Sequence, residues 1–282
     1  MAEHASNRPH ITRRAMMGSS ALFMAGTPLA MSGYASALTA PRAVSGGGEL
    51  RWNPNPASVG LHGFEGIEAD REGRFPDRQY VAVENGEHYR FNIRADDRDS
   101  TGGGDRQRTE AKGMVQDGTI QRMHNGEKWT ISYEMFMPST LHGTSKFTHI
   151  FQTKTPSTNG GPWVTLDLSR SGSKETLRAR AYSTSGAPDI ASTDLAPLRN
   201  KWISVEWTLT IGSSGAARFV AHDGTDASAK VVADGQLSHV NLPDQGDYVR
   251  PKWGIYRSVE SASSDIIDTY LLTRKYQAYR IS

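Results

Sequence analysis

Alternation with a period of two is the feature of this sequence that most narrows its fold. Trp129, Ile131, Tyr133, Met135 and Met137 are interleaved with Thr130, Ser132 and Glu134, and Ile203, Val205, Trp207, Leu209 and Ile211 with Ser204, Glu206, Thr208 and Thr210. Successive side chains of a strand point to opposite faces, so each run reads as a half-buried strand. Asn85-Gly86, Asn125-Gly126, Asp223-Gly224 and Asp234-Gly235 separate the runs as turn signals, the first two placed as hairpin turns would be. There is no long helical period and no repeat of fixed length. Many short strands between Gly-, Asn- and Asp-rich turns predict an all-β sandwich or jelly roll of two sheets.

A chain of 282 residues can bury a sizeable core as one such domain. With 22% charged residues and 9% aromatics it is neither disordered nor collagen-like, and a net charge of +2 calls for no nucleic acid. Cysteine is absent, so the fold needs no disulfide and offers no thiolate to a metal or substrate.

The N-terminus points to export. Arg13 and Arg14 precede an uncharged stretch from Ala15 to Ala37, with an apolar Ala21-Leu22-Phe23-Met24 and a small-x-small Ala35-Ser36-Ala37. These are the parts of a signal peptide over residues 1–37, and the paired arginines indicate the twin-arginine route to the periplasm or medium. Gly26, Pro28, Ser32 and Gly33 break the apolar run too often for a spanning helix. Removing residues 1–37 takes away three arginines and one glutamate, leaving 29 basic and 29 acidic residues. Attraction for a polyanion must then be local. Residues 38–48 read as a linker rich in Pro, Ala, Ser and Gly, and 49–282 as the folded domain.

Three segments place polar residues together on one strand face. In Arg106-Gln107-Arg108-Thr109-Glu110-Ala111-Lys112, an extended chain projects Arg106, Arg108, Glu110 and Lys112 to one side. Such a row can cradle carboxylates, with Glu110 holding the cations in place; a solvated edge strand would look the same. In Phe147 to Lys154, parity puts Gln152 and Lys154 on one face and His149 with Phe151 on the other. An amide and an ammonium leaving an apolar strand are costly unless paired or facing a wet groove; a strand running out into solvent is the bland alternative, and His149 alone reads as structural. In Arg250 to Arg257, Lys252, Gly254 and Tyr256 share a face, and the glycine leaves room for something to approach the backbone. A lysine beside a tyrosine can stabilise its phenolate for proton transfer, although an ordinary amphipathic strand also accounts for Tyr256.

Together the three segments resemble the jelly-roll polysaccharide lyases, over most of residues 49–282. Arg108-Thr109-Glu110-Ala111-Lys112 is similar to the Arg-Ser/Thr-Glu-x-Arg/Lys strand of the jelly-roll alginate lyases, Gln152-Thr153-Lys154 to their Gln-Ile/Val-His, and Lys252-Trp253-Gly254-Ile255-Tyr256 to their Lys-x-Gly-x-Tyr. The wording around Trp253 and Arg257 is nearer to the glucuronan lyase and heparin lyase I group. The resemblance implies a two-sheet jelly roll, a concanavalin A-like sandwich, that cleaves a uronate polymer by β-elimination and leaves a 4,5-unsaturated uronate end. It assigns Tyr256 to proton transfer, Gln152 and Arg108 to neutralising the uronate carboxylate with a share for Lys154, and Lys252 to the Tyr256 phenolate or to the substrate. Glu110, Lys112, Arg106 and Arg257 fall to positioning and subsite contacts.

Lys154 stands where that pattern has histidine, which removes one base and leaves both proton transfers to Tyr256 on one face of the sugar. That favours syn elimination and so a glucuronan-like polymer, unless the fold brings His62, His88, His124, His142 or His222 into the cleft. Two rival classes stay open. A non-catalytic carbohydrate-binding protein would use Trp163, Trp202 and Trp253 as stacking platforms, and a glycosidase would need a carboxylate pair that no close Glu-x-Asp-x-Glu spacing supplies. No cofactor is required; Asp96, Asp97 and Asp99 leave room for a structural calcium, with plain surface aspartates the alternative. The expected partner is an acidic polysaccharide, with no nucleic acid and no membrane once the signal is removed, and a monomer is expected.

Overall fold

The chain is described by a computed structural model over residues 47–99, 104–157, 161–182 and 186–281. The segment expected to be a signal peptide, residues 1–37, and most of the one expected to be a linker, 38–48, lie outside the described residues. Among the described residues, helix is confined to a single turn, α1 (Pro56–Val59), capped by Asn55, and to short 3-10 turns. No helix among the described residues is long and apolar enough to cross a membrane.

The strands in chain order are β1 (Glu49–Trp52), β2 (Gly66–Ala69), β3 (Val81–Glu84), β4 (His88–Ile93), β5 (Arg106–Lys112), β6 (Val115–Gln116), β7 (Thr119–Ile120), β8 (Lys128–Phe136) and β9 (Thr148–Lys154). They continue as β10 (Val164–Ser171), β11 (Lys174–Ala181), β12 (Asp189–Asp194), β13 (Trp202–Thr210), β14 (Gly212–Asp223), β15 (Lys230–Leu242), β16 (Arg250–Ser258) and β17 (Thr269–Ile281). One sheet has the order β15-β14-β13-β8-β17-β4-β3, with β1 added beside β17; the other has β12-β11-β10-β9-β16-β5-β2. All pairs within them are antiparallel, and chain neighbours repeatedly fall in different sheets, which is the jelly-roll arrangement.

The alternation in the sequence is the alternation of burial. Along β13, Ile203, Val205, Trp207 and Leu209 are buried and the residues between them only partly so. The inner faces of the two sheets meet over aromatic rings: Trp52 stacks on Trp253 at 5.0 Å and Phe151 on Trp207 at 5.1 Å, both near parallel. Truncating such a ring costs about 3–5 kcal/mol, so this seam holds the sheets together.

Asn85-Gly86 is the expected hairpin turn, with positive φ at both residues and Glu87 N–H donating to the Glu84 carbonyl. The other signals behave differently. Asn125-Gly126 turns the chain between β7 and β8, which do not pair. Asp234-Gly235 lies inside β15, where glycine is needed because β12 passes so close that a Cβ would sit 1.9 Å from the Ile190 carbonyl oxygen. The glycine marks a close approach of the sheets, a long-range event that no local pattern reports.

Candidate active-site cleft

Strand register brings the three polar segments side by side. In β16, Lys252 lies opposite Lys112 of β5 and Gln152 of β9, Gly254 opposite Glu110, and Tyr256 between Arg108 and His149. Period two sends Arg106, Arg108, Glu110 and Lys112 to the face that carries Lys252 and Tyr256, while Gln107, Thr109, Ala111, Trp253 and Ile255 are buried behind them.

Glu110 is the hub of this face. It is 2% exposed; its Oε2 accepts from Lys252 Nζ at 2.6 Å and Arg108 Nη1 at 2.7 Å, and its Oε1 from Gln152 Nε2 at 2.5 Å. Burial opposes its ionisation, yet the charges of Lys252 and Arg108 and the hydrogen bonds of Lys252 and Gln152 keep its carboxyl below the usual glutamate value. Glu68 of β2 forms the outer wall, accepting from Lys252 Nζ at 2.8 Å, Lys112 Nζ at 3.1 Å and Arg108 Nη1 at 3.3 Å. There too burial works against the charge, and Lys252 first, then Arg108 and Lys112, outweigh it and hold Glu68 at about 2. Asp99 takes the Arg108 Nε at 2.9 Å and pairs with Arg71.

Tyr256 is set by arginines. Its phenolic oxygen accepts from Arg106 Nη1 at 2.9 Å, and the Arg108 guanidinium lies 3.8 Å from the centre of its ring. Arg106 is itself held by Asp105 at 2.7 Å. Lys252 was expected to serve the phenolate or the substrate; its Nζ is committed to Glu110 and Glu68, and the hydrogen bond to the Tyr256 oxygen comes from Arg106.

Lys154 opens onto a cleft of about 480 Å³ lined also by Glu68, Arg71, Arg108, Arg250 and Lys252. No hydrogen bond or ion pair holds its ammonium among the described residues. Burial, then the neighbouring charges of Lys252 and Arg108, hold it below the ordinary lysine value. An unpaired cation crowded by cations is a ready receptor for an anion. Gln152 and Arg108, expected as neutralisers, are already engaged by Glu110.

Arg257 is a correction. It is 0% exposed on the core face of β16, donating to Gln107 Oε1 at 2.7 Å and to the Asp265 and Ile267 carbonyls, so it braces a loop and meets no substrate. Gly254 does not leave room for a ligand either: a Cβ there would lie 2.1 Å from the Thr109 carbonyl oxygen, and the space belongs to β5. Trp163 and Trp253 are buried and Trp202 lies on the other sheet, so the stacking platform of the binding-protein reading is not assembled. Asp96 and Asp97 pair with Arg78, and no group of three or more His, Asp or Glu side chains among the described residues is arranged to hold a metal ion.

Sequence reasoning missed Glu68, Arg71 and the pair His149–Asp167. Glu68 sits in a four-residue strand amid other charged residues, Glu65, Asp70, Arg71 and Glu72, from which nothing local sets it apart. His149 was assigned to the core face by parity, which an irregular register overturns.

No protein-family model and no curated protein matches the sequence. Among solved structures, the chain is similar to a family 7 alginate lyase in complex with substrate (12% identity, 72% of this chain and 82% of that chain, TM-score 0.50). It is also similar to the endo-β-1,4-glucuronan lyase of the fungus Trichoderma reesei (12% identity, 78% and 92%, TM-score 0.48) and to a marine alginate lyase from Aplysia kurodai (13% identity, 82% and 97%, TM-score 0.49). The chain therefore has the β-sandwich jelly-roll fold, and its structural neighbours are polysaccharide lyases.

Proposed function

We propose that this protein is a polysaccharide lyase that cleaves a uronate polymer by β-elimination, with a glucuronan-like chain as the preferred substrate. The observation that carries the reading is Tyr256, its oxygen hydrogen-bonded to Arg106, on the sheet face that also presents the unpaired Lys154. The hydrogen at C5 of a uronate is barely acidic until the carboxylate is neutralised and the developing enolate is met by preorganised charge. Lys154 supplies that charge, backed by the excess of cations along the cleft. Tyr256 removes the C5 proton as the phenolate, which Arg106 stabilises, and returns it to the departing C4 oxygen. One group serving both transfers works on one face of the sugar, as syn elimination of glucuronate requires. The buried Glu110 network keeps Arg108 and Lys252 in place throughout, so little reorganisation is needed when charge develops. Export by the twin-arginine signal would bring the enzyme to an extracellular polymer.

The test is the ultraviolet absorbance of unsaturated uronate ends when the mature protein meets glucuronan, alginate, heparin, hyaluronan and pectate, with Tyr256→Phe in parallel. Product from glucuronan that the substitution abolishes supports the reading. Binding without product, unchanged by the substitution, returns the protein to the carbohydrate-binding class.

A further inference from the structure

The outer face of the other sheet carries a row of cations and rings that the cleft does not use. Arg90 of β4, Leu272 of β17, Phe136 of β8 and Trp202 of β13 lie abreast in register. Their chain neighbours Tyr89, Leu271, Met135 and Ile203 fill the core, so strand alternation turns all four outward, on the side of the sandwich away from Tyr256. Trp202 meets Phe136 at 5.9 Å, and Tyr270, two residues before Leu272, lies parallel to Phe136 at 6.5 Å.

The rings on either side of Phe136 each carry a guanidinium. Arg90 Cζ is 3.6 Å from the centre of Tyr270, and Arg274 Cζ is 4.0 Å from that of Trp202. Their Nε groups donate to Asn92 Oδ1 and Glu134 Oε2, both at 2.7 Å, which fixes each plane. Among the described residues no hydrogen bond engages their Nη groups, and Arg90 Nη1 stands 3.5 Å from Glu84 Oε1. Just past β4, the Arg94 guanidinium makes no hydrogen bond or ion pair among the described residues, although its Nη1 is buried. It lines an open cleft of about 580 Å³ with Arg90, Asn92, Thr140, Thr269 and Tyr270. The acids nearby are engaged elsewhere: Glu84 by His88, Glu134 by Arg274 and Lys275, and Asp96 by Arg78, while Asp268 Oδ1 accepts from the Ala95 amide.

A guanidinium laid on a ring and tethered through Nε presents its remaining planar fork to a carboxylate with little entropy left to lose. Phe136 carries no cation and offers an apolar surface between the two forks. A uronate chain combines a carboxylate on each sugar with apolar C–H faces. An uncharged polysaccharide would cover the ring and leave the forks empty.

We propose that this row is a second, non-catalytic binding site for acidic polysaccharide. Phe136 packs on the C–H face of one uronate, and Arg90, Arg94 and Arg274 take its carboxylate and those of its neighbours. The proposal rests on the lyase reading for the identity of the polymer, and adds that the enzyme holds polymer on the back of the sandwich as well as at Tyr256.

The experiment is calorimetry on Tyr256→Phe, used to prevent turnover, with a saturated glucuronate hexasaccharide as probe, cellohexaose as its uncharged counterpart, and melting temperatures alongside. Two sites are expected. Arg90→Gln combined with Arg94→Gln, which strands no buried acceptor, raises the Kd of one at least about tenfold, and Lys154→Gln weakens the other. Phe136→Glu keeps the arginines and adds a repelling charge; it removes the same site as the double variant, so misfolding of either one does not hide the result. Binding that both surface variants leave intact overturns the proposal, and its loss in Lys154→Gln alone keeps the lyase reading standing. A single site lost in the surface variants and kept in Lys154→Gln upholds the proposal and removes Lys154 from the lyase reading. Cellohexaose held at the surface site as tightly as the glucuronate overturns the assignment to carboxylates, and binding of neither probe overturns both readings.

Discussion

Arg106 donates from Nη1 to the Tyr256 phenolic oxygen at 2.9 Å, reaching diagonally from β5, where Arg108 and not Arg106 is the registered partner. The contact couples a permanent cation to the group that must carry negative charge in the proposed reaction.

Arg106→Ala is accordingly expected to lower kcat about 10- to 100-fold, the equivalent of a charge-assisted hydrogen bond worth about 1.5–3 kcal/mol. KM on a uronate polymer stays within about twofold, because the interaction strengthens only as the phenolate forms. Steady-state kinetics checks this, and the melting temperature should not move, since Arg106 is partly exposed and its strand is held by others.

Lys154 predicts an alkaline limit to substrate binding. Its folded value is lowered, so its charge is lost as pH rises through a point below the ordinary lysine value of 10.5. Affinity for a saturated oligouronate, measured by calorimetry, should fall over that range in the wild type. In Lys154→Arg, which keeps its charge, the fall should disappear, and Lys154→Gln should bind weakly at every pH.

Glu68 predicts a pH-dependent share of stability. Its pKa is depressed to about 2 from 4.5, so its contribution is complete above the unfolded value and is lost as pH falls through the folded one. Glu68→Gln should cost on the order of 2 kcal/mol at neutral pH, and its denaturation midpoint should converge on that of the wild type as pH drops from about 5 toward 2.

Arg257→Ala separates bracing from catalysis. Burial pulls its guanidinium down to about 10, and its donors satisfy Gln107 and two carbonyls inside the domain. Losing them strands buried acceptors at a cost of about 2–4 kcal/mol. Thermal melting should report that loss, while KM for the polymer at a temperature where the variant is folded should be unchanged.

The all-β architecture was legible in the sequence because period two in burial is written directly into period two in residue type, as along β13. So was the hairpin at Asn85-Gly86, whose positive φ values those two residues tolerate. The shared face of Arg106, Arg108, Glu110 and Lys112, and of Lys252 with Tyr256, followed from the same local rule. Three features were decided by the tertiary structure alone. Pairing of β5, β16 and β9 chose Arg106 over Lys252 as the partner of Tyr256, since register is set by the whole sheet and not by any one strand. The slip around Ile150 turned His149 from the core to the side of Tyr256, and a bulge leaves no mark in residue order. Arg257 and Gly254 looked functional because charge and open space near a motif suggest a ligand, whereas the sandwich had already filled the space behind them with its own backbone and loop carbonyls.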